Sequence, residues 1–323
     1  RDLHSFPTRR SSDLFLGTDL SEILDSIVED RPYGSKEKEI MKVGVHVLPR
    51  FPKDTTDRNR TSPFAFTGNK FEFRMLGSAS SIAMANTVLN AAVAETLCGF
   101  ADILENASDF ENALHDLIKN EITAHKRILF NGNGYDDAWV KEATEVRGLS
   151  NYRTTPDCMP HILDEKNVRM LTSLGVFSMD EIRSRRDIML ENYCKSILIE
   201  ANTMVDMART HIAPAVESYV SDLAKTAKTK KTVSPSLSLR YETKLIEELS
   251  GLVDEISDKA DELENTVLKV HDTEDILEES AMIRDEVLSV MSELRIPCDK
   301  AEVLTAKSYW PFPTYADLLF GVR

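Results

Sequence analysis

The chain has 323 residues, 42% of them hydrophobic and 29% charged, with a formal net charge of −15. That apolar share suffices for a packed core and excludes a disordered chain, while the acidic balance excludes a general nucleic-acid surface and attraction to anionic lipid. No run approaches the ~18 apolar residues of a membrane span, so a soluble chain of one large domain or two smaller ones is expected.

Residues 1–14 fit nothing in the rest of the chain. They have no initiating Met and no apolar segment, and acidic residues together with Pro7 count against the amphipathic helix of a transit peptide. They resemble translated adapter sequence joined to a truncated reading frame, which predicts a disordered leader and a native part beginning at Phe15. Asp19 followed by Glu22 reads as a capping box, and Leu20, Ile23, Leu24 and Ile27 form the stripe of the first helix. Pro32 and Gly34 end it. A strand is predicted over 43–48, where His46 reads as a core histidine, then a loop to 69 and a strand over 70–76.

From about residue 80 the pattern turns helical. Residues 81–105 are small and apolar at nearly every turn, which predicts a helix buried on more than one side. A second helix spans 109–129, and Gly132 and Gly134 break the chain before a third over 135–147. The loop at 131–134 lacks the length and the Lys of a phosphate-binding loop and reads as a turn between helices. Ser178 with Glu181 is another capping box, opening a helix to about residue 228 that Pro214 should kink or divide. The polar stretch 225–235, with Lys228, Lys230 and Lys231, is a surface turn too short for a nucleic-acid patch.

Beyond it, Leu245, Leu249, Leu252, Ile256, Ala260, Leu263, Val267 and Val270 recur at helical spacing. Ile276, Ile283, Val287, Val290 and Leu294 repeat the pattern, and the short break near 271–273 predicts an antiparallel hairpin. The aromatic, Pro-rich residues 309–315 suit a C-terminus that docks back onto the body. Cys98, Cys158, Cys194 and Cys298 stand far apart without disulfide or zinc spacing, which fits free thiols in a reducing cytosol. His115 and His125 read as surface or partly packed helical residues.

The segment Lys70-Phe71-Glu72-Phe73-Arg74 alternates strictly. In a strand, Phe71 and Phe73 would enter the core and Lys70, Glu72 and Arg74 would share the other face. Cation, carboxylate, cation in a row suits an anionic, metal-bound ligand, with Arg60 joining from the preceding loop. The same ladder is also what the solvated face of an antiparallel sheet looks like.

The longer string Asn59-Arg60-Thr61-Ser62-Pro63-Phe64-Ala65-Phe66-Thr67-Gly68-Asn69-Lys70-Phe71-Glu72-Phe73-Arg74 closely resembles a segment carrying active-site residues in glutamine synthetases, in its type III form. The strings Val45-His46-Val47-Leu48-Pro49-Arg50-Phe51-Pro52-Lys53-Asp54, Phe130-Asn131-Gly132-Asn133-Gly134-Tyr135, Leu190-Glu191-Asn192-Tyr193-Cys194-Lys195 and Tyr309-Trp310-Pro311-Phe312-Pro313-Thr314-Tyr315 resemble the same branch. The likeness runs from about Gly17 to the last residue.

The resemblance implies a ligase that uses ATP to join ammonia to glutamate through γ-glutamyl phosphate, with two Mg2+ or Mn2+ ions per site. It makes Glu72 a metal ligand and Arg60 the stabiliser of the transferring phosphoryl group. It makes Lys70 a nucleotide-phosphate contact and Arg74 the holder of the glutamate carboxylate or acyl phosphate. Type I enzymes carry a second arginine where this chain has Ala65, so type I detail does not transfer to this loop. The family's N-terminal β-grasp domain and the motifs bearing most of its metal ligands have no counterpart string here.

The resemblance and the element pattern together predict an α+β fold: a remnant of the catalytic sheet, then a mainly helical body. Residues 15–235 are assigned to the C-terminal part of the catalytic domain, and 236–323 to a helical hairpin and docking tail. A cytoplasmic homo-oligomer, a double hexameric ring in the family, is expected, with no nucleic-acid or membrane partner. The fragment alone is expected to be inactive. The alternative is a noncatalytic helical scaffold derived from the synthetase C-terminal half.

Overall fold

The computed structural model describes residues 13–33, 61–74 and 81–321, with the backbone of two short strands at 40–41 and 51–52. Arg60 and the strand predicted over 43–48, with His46, lie outside the described residues. The fold is mostly helical with a small mixed sheet, an α+β arrangement. By contacts the chain divides into two compact units, residues 1–183 and 184–323.

In the first unit, β1 (Leu14–Phe15) leads into α1 (Thr18–Val28), and β2 (Ile40–Met41) pairs antiparallel with β3 (Phe51–Pro52). β4 (Phe64–Phe66) runs parallel to β1 and antiparallel to β5 (Phe71–Phe73). The hairpin between β4 and β5 closes through Thr67 N–H on the Lys70 carbonyl at 2.8 Å. Gly68 sits there at φ 98°, a backbone state that favours glycine. Asp13 and Leu14 are ordered, Leu14 within β1 and Asp13 buried, so the disorder expected through residue 14 does not extend to these two.

α1 starts at Gly17 with no capping side chain of its own, in place of the capping box expected at Asp19. The Asn131 amide oxygen instead accepts from Leu16 N–H at 3.1 Å and Gly17 N–H at 3.0 Å, and its amide nitrogen donates to Ser21 Oγ at 2.8 Å. A remote side chain thus does the work of the cap. The helix stops where Asp30 adopts φ 51°, and Asp30 accepts from His115 at 3.2 Å and from Lys119. Both belong to α3 (Phe110–His125), so the end of α1 is tied to its neighbour.

α2 (Ala83–Glu105) contradicts the burial expected of it. Ala91 is its one buried residue, while Val93, Leu97 and Ile103 are 56%, 58% and 53% exposed. It is long and apolar enough to cross a membrane by length and composition alone. Asn90 and Glu95 at its middle would be costly in lipid. Ala91 packs with Met170 and Leu171 of α6 and with Ile182 at the start of α7, leaving the larger α2 side chains outside that cluster.

After α3 come α4 (Asp137–Lys141), α5 (Thr155–Cys158) and α6 (Glu165–Ser173), short helices joined by tight turns. α7 (Met179–Met207) opens with the expected reciprocal cap: Ser178 N–H donates to Glu181 Oε2 at 2.8 Å, and Glu181 N–H to Ser178 Oγ at 3.3 Å. A widened π turn, Ala208–Ile212, separates α7 from α8 (Ala213–Val233). It lies directly ahead of Pro214, which has no N–H to return to the Thr210 carbonyl.

The second unit is a bundle. α8, α9 (Arg240–His271) and α11 (Leu288–Leu304), with α10 (Ile276–Met282) turning the chain, pack side by side. Every position of the stripe from Leu245 to Val270 read from the sequence is buried, as are Ile283, Val287, Val290 and Leu294. Each of these Leu, Ile and Val side chains contributes about 1.5–3 kcal/mol relative to exposure. Because α8 shares this core with α9, the division by contacts falls at Arg183 and Ser184, ahead of the 235/236 boundary assigned from the resemblance and the element pattern. After α11, Tyr309 donates to the Asp222 carboxylate and its ring lies tilted against Tyr219 at 5.1 Å, and Trp310 and Phe312 pack on the bundle core. A last short helix, α12 (Tyr315–Phe320), comes after a Thr314–Asp317 capping box.

Candidate functional site

The β4–β5 ladder fixes which side chains share a face. Ala65 stands opposite Glu72, while Phe64 and Phe66 stand opposite Phe73 and Phe71. Strand alternation therefore separates an aromatic face from a charged one, as read from the sequence. The aromatic face does not enter the core, and burial varies along the charged face, where the Lys70 side chain is open to water. Phe71 and Phe73 are 49% and 44% exposed rather than in the core, while Ala65 is fully buried and the Arg74 side chain is 13% exposed. Among the described residues the aromatic face is covered by its own rings: Phe64 on Phe71 at 5.5 Å, Phe66 on Phe71 at 5.3 Å, Phe64 on Phe73 at 6.4 Å. Two three-residue strands cannot both present four phenylalanines and enclose them, so the phenylalanines pack on one another and stay half in water.

On the charged face, Lys70, Glu72 and Arg74 are brought together as expected. Arg74 donates to Glu72 Oε2 through Nη2 at 2.9 Å and Nε at 3.2 Å, and the Lys70 ammonium lies 3.4 Å from Glu72 Oε1. The hydrogen bond from Arg74, helped by Lys70, holds the Glu72 carboxyl below its ordinary range against the opposing effect of desolvation. Glu72 is thus an ionised carboxylate between two cations. Arg60 lies outside the described residues.

The charged face does not by itself build a metal site. Among the described residues no group of three or more His, Cys, Asp or Glu side chains could hold an ion. Glu72 is one oxygen ligand, already engaged by two cations, where Mg2+ takes six donors in octahedral array.

A buried frame fixes the sheet from behind, and sequence reasoning missed it. Asp13, 1% exposed, accepts from Trp139 Nε1 at 3.2 Å and from Ser62 Oγ at 3.1 Å. Gly134 N–H donates to the Thr61 carbonyl at 2.9 Å, and a Cβ added at Gly134 would sit 2.4 Å from that oxygen. Only glycine permits that approach. Trp139 stacks on Phe130 at 3.6 Å, and the Arg147 guanidinium covers it at 4.6 Å. The loop at 131–134 is thereby a structural clasp between the start of α1 and the segment leading into β4. The sequence signal for it was the Gly132 and Gly134 pair; nothing marked Asp13, which the sequence assigns to the leader.

Two open clefts accompany these elements. One, of about 420 Å³, lies between α1 and the end of α3, lined by Asp25, Lys126, Arg127 and Arg147 over Leu24 and Ile122. Its cations are already engaged: Lys126 with Asp25 at 2.8 Å, Arg147 with Glu142 at 2.7 Å, and Arg127 with the Arg147 and Gly148 carbonyls at 3.2 Å. The other, of about 590 Å³, belongs to the bundle and is lined by Tyr219, Asp222, Lys225, Lys230 and Tyr309.

Residues 113–231 match the family described as the glutamine synthetase C-terminal domain. Over 315 residues, 96% of the chain, it is 36% identical to a glutamine synthetase of Butyrivibrio fibrisolvens, covering 44% of that protein. It is 33% identical over 95% of its length to a type-3 glutamine synthetase of Dictyostelium discoideum, covering 43% of it. A glutamine synthetase of Bacteroides fragilis is 32% identical over 95% of the chain, again with 44% of that protein covered. The chain spans less than half the length of these curated relatives, and nearly all of its own length aligns to them, so the likeness is to one part of a glutamine synthetase.

Proposed function

We propose that the chain is part of an ATP-dependent glutamate–ammonia ligase. In that reaction the γ-phosphoryl group of ATP passes to the side-chain carboxylate of glutamate, giving ADP and γ-glutamyl phosphate. Ammonia then attacks the acyl carbon; the C–N bond forms, the C–O bond to phosphate breaks, and a proton is lost. The observation that carries this reading is the Lys70–Glu72–Arg74 face, held on one short strand by ion pairs of 2.9 and 3.4 Å. Phosphoryl transfer depends mostly on positioning and on charge stabilisation, and cations at fixed spacing supply both.

Arg74, whose planar fork stays charged, would hold the glutamate carboxylate or the acyl phosphate. Lys70 would meet the nucleotide phosphates, and Arg60 the phosphoryl group in transfer. Glu72 would supply one ligand to Mg2+ or Mn2+, the ions that neutralise phosphate charge in such reactions. The reading carries with it a cytoplasmic homo-oligomer in a double hexameric ring, and no turnover by these 323 residues alone. Residues 15–235 would be the C-terminal part of the catalytic domain, and 236–323 an appended hairpin and tail.

The test uses the chain brought to the length of its relatives, beside a Glu72→Gln copy. Phosphate release is measured as it depends jointly on ATP, glutamate and ammonia. A fall of at least about 100-fold in the variant, with the fold intact, is the expected outcome. A folded, complete protein without such release returns the charged face to solvent. The bundle of 184–323, with a core of its own, then supports the helical-scaffold reading.

A further inference from the structure

α2 is turned the wrong way for a surface helix. At 3.6 residues per turn, Val88, Leu89, Val93, Leu97, Phe100 and Ile103 fall on one half of its circumference. Ala91, the residue it buries, lies roughly opposite Val93 and Leu97. Its three carboxylates, Glu95, Asp102 and Glu105, fall on the Ala91 side, and it has no Lys or Arg. On the charge-free half Val93, Leu97 and Ile103 are 56%, 58% and 53% exposed and Leu89 and Phe100 half-buried, so among the described residues this half is largely uncovered. Contiguous apolar surface of this kind marks an interface.

Two observations choose the occupant. Asn86, Asn90 and Thr96 interrupt the helix with polar groups that want protein partners rather than lipid. And more than half of each relative lies outside the region matched by this chain. The half-exposed Phe71 and Phe73 belong to the same unit and ask for the same cover.

We propose that α2 is an interior helix of the complete protein, its Val93 and Leu97 face covered by the polypeptide that the relatives carry outside the matched region. This rests on the likeness to those relatives and not on the ligase reading, and its readout is independent of activity.

The test places a thiol on the face as Leu97→Cys, with the neighbouring Cys98 changed to Ser, and follows its alkylation by peptide mass spectrometry. The 323-residue chain and a version extended to the length of its relatives are compared. Labelling at least about 100-fold slower in the extended protein is expected, as for a site that reacts only on opening. Equal rates would overturn the proposal. So would protection in the 323-residue chain that grows with its own concentration, which assigns the face to a second copy. Protection that appears only with phosphatidylcholine vesicles would assign it to lipid and overturn it equally. Leu97→Glu supplies an opposite-sign check: higher soluble yield in the 323-residue chain, lower in the extended protein. A gain in both would count against an interior helix.

Discussion

Residues 184–323 enclose one large apolar core, and the described residues of 1–183 enclose only small ones. In the bundle one cluster runs from Tyr193 to Ala301, with Leu249, Ile256, Leu263, Ile283 and Leu294 at or near zero exposure. In the first unit the described core is divided into a cluster around Leu171 and Ile182 and another around Trp139, while α2 and the phenylalanines of β5 face outward. The bundle core closes because α8, α9 and α11, which follow one another closely in the chain, pack on each other. A sheet of two- and three-residue strands needs layers from elsewhere, and its charged face matters only once those layers bring the rest of a site.

The sharpest way to break that contrast is a pair of truncations. Leu263→Ala removes a fully buried side chain from the bundle and should cost about 2–5 kcal/mol. Val93→Ala, on the open face of α2, should stay within about 0.5 kcal/mol in this chain. Denaturant unfolding followed by circular dichroism checks both. A Val93→Ala cost comparable to that of Leu263→Ala would mean that the α2 face is already covered, and the contrast would fail.

A smaller effect is expected at Asn131. Asn131→Ala leaves the N–H groups of Leu16 and Gly17 without their acceptor, a loss of about 1–3 kcal/mol per the cost of unpaired donors. Asn131→Asp keeps the acceptor and forfeits the donation to Ser21, so it should retain more stability than the alanine variant. Amide hydrogen exchange over α1 reads the difference locally. Unchanged protection in Asn131→Ala would show that the clasp does not hold the helix.

How much could be read beforehand tracks the same divide. Local, periodic signals were legible: the stripe from Leu245 to Val270, the Ser178–Glu181 cap, the interruption ahead of Pro214, and the sharing of one face by Lys70, Glu72 and Arg74. Burial was not legible where it depends on partners distant in sequence. The apolar runs of α2 and β5 were read as core because hydrophobicity tells what a side chain favours, not whether a cover is present. The Asp13, Ser62 and Trp139 frame joins residues far apart in the chain, and the Asn131 clasp replaces a local cap by a remote one. Such contacts leave no periodic trace.

The smallest expected effect tests whether the bundle is as self-contained at its ion pairs as in its apolar core. Glu242, 3% exposed at the start of α9, accepts from the Lys230 ammonium at the end of α8 through Oε1, and its Oε2 is buried without a hydrogen-bond partner. The hydrogen bond from Lys230 holds the Glu242 carboxyl below its ordinary range. A carboxyl lowered in the folded state contributes stability that is present above its unfolded value and is lost as pH falls through the folded one. Glu242→Gln removes that contribution, so the variant should be the less stable protein at neutral pH, and the two unfolding midpoints should converge below the ordinary glutamate range. Glu264, Asp222 and Asp285 are lowered as well, by Arg209, Lys225 and Arg284, so acid weakens both proteins and only the difference between them reports on Glu242. Midpoints that diverge toward acid, or a variant more stable at neutral pH, would mean that desolvation of the buried oxygen outweighs the bond from Lys230. The bundle would then tolerate that ion pair rather than be held by it.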